Sequence, residues 1–87
     1  MSAELKTGVI HYVNLPNSLF VVKLSNETYT VFEATQPGAF KVNDKIEGYL
    51  DKPGIYEVLN ASTQKYHFVN VENTGLTCEE ALDKAQL

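Results

Sequence analysis

Arginine is absent from this chain: all seven basic residues are lysine, set against eleven acids, for a net charge of −4 over 87 residues. Arginine is the usual residue for bidentate contacts to phosphate and guanine, and a broad basic face supplies most non-specific affinity for nucleic acid. Duplex DNA is therefore not an expected partner. Single-strand binding by stacking on aromatics, with a few lysines along the path, survives this objection. Cysteine is scarce too, and Cys78 as the only one excludes an intrachain disulfide. Long hydrophobic runs are missing. The longest, Leu19 to Val22, is far short of the ~20 residues of a membrane helix, and Met1-Ser2-Ala3-Glu4-Leu5-Lys6 lacks the apolar core of a signal peptide. A cytoplasmic protein with no membrane contact is the expectation.

What is present is a regular alternation of turn signals and β-formers in a chain long enough for one domain. Turn clusters fall at Asn14-Leu15-Pro16-Asn17-Ser18, Ser25-Asn26-Glu27, Gln36-Pro37-Gly38, Asn43-Asp44, Lys52-Pro53-Gly54 and Asn60-Ala61-Ser62. Asn26-Glu27-Thr28 and Asn60-Ala61-Ser62 also match the glycosylation acceptor pattern, but with no export signal they read as turn chemistry. Between the turns, strands are predicted over Val9–Val13, Leu19–Leu24, Thr28–Glu33, Lys45–Leu50 and Tyr66–Val71, with a short extended piece over Ile55–Val58. The first three form a meander, the second and third as a hairpin about Asn26. Gly8 and Gly48 within strand patterns suggest bulges or the sharp bends of a small barrel.

The fold class expected is therefore all-β: a small five- to six-stranded OB-like β-barrel over residues 1–76, followed by a short C-terminal α-helix within 77–87. The long connection from Thr35 to Asp44 favours this barrel over an SH3-like one. The helix begins at Thr77-Cys78-Glu79-Glu80, a capping box in which the threonine hydroxyl accepts from the Glu80 amide and the glutamate reaches back, and Leu76 can staple onto Ala81. From Cys78 to about Gln86, Cys78, Ala81, Leu82 and Ala85 share an apolar face, which must dock on the open end of the barrel or on a partner.

The first half resembles the cold-shock domain, a five-stranded OB barrel that binds single-stranded RNA and DNA through aromatics. Thr7-Gly8-Val9-Ile10-His11-Tyr12-Val13-Asn14 lies without gaps on that family's Thr-Gly-x-Val-Lys-Trp-Phe-Asn, placing Tyr12 at the base-stacking tryptophan and His11 at the lysine. Val31-Phe32-Glu33-Ala34 falls on Val-Phe-Val-His, and Val42-Asn43-Asp44-Lys45-Ile46 resembles the turn into the fourth strand. The family's Lys-Gly-Phe-Gly-Phe falls on Asn17-Ser18-Leu19-Phe20-Val21, where both stacking positions are aliphatic. The resemblance covers residues 6 to 50. It implies a stacking platform of Tyr12 and Phe32, with Phe20, His11 and Lys23 beside them.

Two functions follow as expectations. The first is a small module binding single-stranded RNA or DNA weakly by stacking; the alternative is a protein-interaction or homodimer module with no nucleic-acid activity, using the helix face of Cys78, Ala81, Leu82 and Ala85. No enzyme is expected, because no nucleophile, base and oxyanion donors assemble, and acids such as Asp44 and Glu47 flank a turn. No cofactor is implied. No metal site is expected either, with His11 and His67 on separate strands and no ligand spacing around them. Cys78 reads as a small apolar residue on the docking face.

Overall fold

Antiparallel pairing closes six strands into a ring. The structure, a computed structural model, describes residues 5–36 and 38–85. The strands are β1 (Lys6–Asn14), β2 (Leu19–Leu24), β3 (Tyr29–Ala34), β4 (Lys45–Gly48), β5 (Gly54–Asn60) and β6 (Lys65–Leu76), and α1 spans Cys78–Lys84. Met1 to Glu4, the turn residue Pro37, Gln86 at the expected helix end and Leu87 lie outside the described residues. The ring order is β1-β2-β3-β6-β5-β4, with β4 returning to pair with β1. The strands β4-β1-β2-β3 thus stand in the Greek-key order, and the long connection after Ala34 is the crossing that this order requires. The all-β class, the closed barrel and the C-terminal helix agree with the sequence reading, and the ring is consistent with an OB-like fold.

Turn chemistry explains the strand boundaries. The Asn26 side-chain oxygen accepts from the Thr28 amide at 3.1 Å and from its hydroxyl at 2.7 Å, closing the β2–β3 hairpin. Asn60 does more, because it is buried. Its side-chain oxygen accepts from the amides of Ser62 and Thr63 at 3.0 and 3.3 Å, while its amide group donates to the Ala39 carbonyl at 2.9 Å and the Asp44 carboxylate at 2.8 Å. One side chain therefore shapes the β5–β6 turn and ties the crossing loop to it.

The interior is filled by alternate residues of every strand, and each end of the barrel has its own plug. At the end beneath the crossing loop, Phe40 sets its ring edge-on to Phe20 and Phe32, with centroids 5.5 and 5.2 Å away, and His67 packs on its other side at 5.3 Å. At the opposite end, Leu50 is buried and its carbonyl accepts from the buried Thr30 hydroxyl at 2.7 Å. The glycines Gly8 and Gly48 mark close packing rather than bulges: a Cβ would stand 2.7 Å from Val22 Cγ2 at Gly8 and 2.8 Å from Val58 Cγ2 at Gly48. The bulge in β1 falls instead between Ile10 and Tyr12.

With both ends plugged, α1 docks on the side wall. Ala81 and Ala85 are fully buried against the outward residues Leu19, Val21 and Val31, and Leu76, Leu82, Tyr12 and Tyr29 close around them. The expected docking at the open end is thus corrected: three apolar side chains facing outward on β2 and β3 offer the helix a larger apolar seat than either filled end. The expected capping box is present, with Thr77 Oγ1 accepting from the Glu80 amide at 3.1 Å and Glu80 Oε1 from the Thr77 amide at 2.9 Å. Far along the wall, Asn14 Nδ2 donates to the Ala85 carbonyl at 2.7 Å, satisfying one of the helix's free C-terminal acceptors.

Candidate binding surface on the barrel wall

Strand parity decides which aromatics can meet a ligand. Ile10 pairs with Val22 and points inward, whereas beyond the bulge at His11 Tyr12 pairs with Val21 and points outward. The bulge lets β1 serve the core and the outer wall in turn. Phe20 and Phe32 are opposite one another on β2 and β3, both 0 % exposed, their rings stacked at 5.5 Å inside the barrel. Their assignment to a nucleic-acid platform is therefore corrected: neither ring has a free face. The outward residues at this place, Leu19, Val21 and Val31, lie beneath α1.

The remaining members of the expected platform lie about Tyr29 and the edge of the helix seat. Tyr12 is half-buried at the edge of the helix seat. His11 is exposed, with its ring edge-on to Tyr29 at 5.3 Å and Nε2 3.5 Å from Cys78 Sγ. Lys23 is exposed between Val9 and Tyr29. Burial first, then the adjoining Cys78 thiol and the charge of Glu27, raise the Tyr29 phenol above its ordinary value. Of the four helix residues expected to face a partner, two are covered by this chain itself. Ala81 and Ala85 are spent on this chain's own wall, and Cys78 and Leu82 flank that contact half-buried.

A different wall carries the exposed apolar surface. On β5 and β6, Ile55, Tyr66 and Phe68 are 74, 63 and 64 % exposed, with half-buried Leu59 among them. The register sets Ile55 opposite Asn70, Glu57 opposite Phe68 and Leu59 opposite Tyr66. Phe68 is therefore a diagonal neighbour of both Ile55 and Leu59, within reach of side-chain contact. Beside this patch a cleft of about 210 Å³ opens between Thr35, Gln36, Ala39 and the residues Tyr66, His67 and Phe68. Exposed carboxylates surround it: Glu57 within the patch, Glu33 across from Asn70, and Glu72 and Glu47 at its edges.

The signal for this patch was available in the sequence. Ile55-Tyr56-Glu57-Val58-Leu59 and Tyr66-His67-Phe68-Val69 carry large apolar groups at both parities, so one set had to face outward. Among the described residues no group of three or more His, Cys, Asp or Glu side chains is placed to hold a metal ion. Nor is any described helix long and apolar enough to cross a membrane. Comparison with protein-family models, with curated proteins and with solved structures finds no match to this chain.

Proposed function

We propose that this protein is an interaction module whose β5–β6 wall docks a partner protein bearing an apolar centre and a basic rim. The observation that carries the reading is the trio of Ile55, Tyr66 and Phe68, each well over half exposed on a regular hairpin. Large side chains held side by side on rigid strands lose little further freedom on binding, and contiguous apolar surface of this kind is typical of interaction sites. Charge selects the partner. Glu33, Glu57 and Glu72 would meet their own copies in a face-to-face homodimer, whereas lysines or arginines on a different protein complement them. The same carboxylates disfavour a phosphate backbone running across Tyr66 and Phe68.

Titration of the isotope-labelled protein with a synthetic peptide of alternating lysine and leucine tests this. Amide shifts are expected at Ile55, Glu57, Tyr66 and Phe68, with affinity reduced about tenfold by Phe68→Ser or Glu57→Lys, the loss of one good contact each. Oligothymidylate is expected to leave these amides unmoved. Oligothymidylate shifts that vanish with Phe68→Ser would return the surface to single-stranded nucleic acid. A doubled mass that depends on Phe68 would assign it to a homodimer, and an unmoved hairpin with the peptide would refute the proposal.

A further inference from the structure

A groove of about 510 Å³ lies on another wall, across β2, β1 and β4, and shares with the interaction surface only Glu47 at its edge. Its floor is the backbone of Gly8 and the side chain of Val9, which is 39 % exposed. Exposed Ala61 extends the apolar lining, while Leu24 and Ile46 border it with their side chains in the core. The register places a lysine on each side of the floor: Val9 is opposite Lys23 on β2 and opposite Lys45 on β4. With adjacent strands about 4.8 Å apart, the two lysine backbones stand about 10 Å from each other, so both ammonium groups can close on one acceptor above Val9. Among the described residues neither lysine side chain has an ion-pair partner.

The acids of the groove are displaced toward its other end. Glu47 is opposite Thr7, and Glu27 lies in the β2–β3 turn beyond Ser25. Two lysines against two glutamates give the rim no net charge, so a polyanion gains little from it, whereas a single carboxylate held at the lysine row gains two charge-assisted hydrogen bonds. An apolar body would cover Val9, Ala61 and the methylene stems of the two lysines. We propose that this groove binds a small organic monocarboxylate with an apolar tail, its carboxylate between Lys23 and Lys45.

Octanoate serves as the probe and octanol as its uncharged twin, each titrated into the isotope-labelled protein. Octanoate is expected to produce saturable shifts at Val9, Lys23, Lys45 and Ala61, weakened about tenfold in Lys23→Gln/Lys45→Gln and by a similar factor in octanol. Both lysines are exposed, so the double variant keeps the native amide spectrum elsewhere, which the same experiment checks. Gly8 is left alone, because any side chain there strikes Val22. The proposal is overturned if octanoate gives no saturable shift, if the double variant or octanol binds as tightly, or if the shifts fall at Tyr66 and Phe68 instead.

Discussion

Asn60 shows how much one buried polar side chain can determine. It lies fully inside the protein, yet both ends of its amide are satisfied, by two turn amides on one side and by Ala39 and Asp44 on the other. Replacing it with alanine removes the partner of the Ala39 carbonyl and of the Ser62 amide, while the Thr63 amide keeps the Asn60 carbonyl at 3.2 Å, and an unsatisfied buried group costs about 1 to 3 kcal/mol. Asn60→Ala is therefore expected to lower the unfolding free energy by about 2 to 3 kcal/mol, read as a shift of the urea midpoint at unchanged slope. Asn60→Asp keeps the acceptor but sets a second carboxylate against Asp44, so it recovers none of this loss at neutral pH. The contrast between Phe20 and Phe68 is of the same scale. Both are phenylalanines in β-rich segments, and only the parity of their strands sends one to the core and the other to solvent.

At the scale of elements, the turns were readable and the faces were not, and β6 runs to Leu76, five residues past the expected end at Val71. Asn26, Asn60 and the Thr77-x-x-Glu80 box act through bonds to neighbours two or three residues away, so their meaning is contained in a short stretch of sequence. Which way a strand faces depends on its partners. The bulge at His11 reverses the parity of β1 between Ile10 and Tyr12, and nothing local to His11 announces it. The motif match at Phe32 likewise fell on an inward position, because alternation along β3 sends Phe32 to the core and Val31 and Glu33 outward. That helix has only seven residues, too few to persist without its seat and caps. Thr77→Ala is expected to cost about 1 kcal/mol, with amide exchange speeding at Ala81 and Ala85 more than in β2 and β3.

Across the whole molecule, the walls of the barrel differ in what they present. The β2–β3 wall is closed by α1, the β2–β1–β4 wall carries the lysine-flanked groove, and the β5–β6 wall presents its apolar residues openly. The net charge of −4 is also unevenly used, with carboxylates around the β5–β6 patch and the two lysines facing each other across Val9. The ring that joins these walls is not uniformly strong. β5 meets β6 over seven paired positions but pairs with β4 at two, Ile46 with Asn60 and Glu47 with Leu59, with the Ala61 amide adding a bond to the Lys45 carbonyl at 2.7 Å and the Ser62 hydroxyl accepting from the Lys45 amide at 3.0 Å. Such a hoop has a clasp, and under thermal agitation it parts there first. Amides bridging β4 and β5 are accordingly expected to exchange with solvent through a local opening of lower free energy than global unfolding, while those between β5 and β6 wait for the whole chain to unfold. The patch lies on the β5 side of this clasp whereas the groove reaches across it to Ala61, so its opening leaves the patch whole and withdraws one wall of the groove.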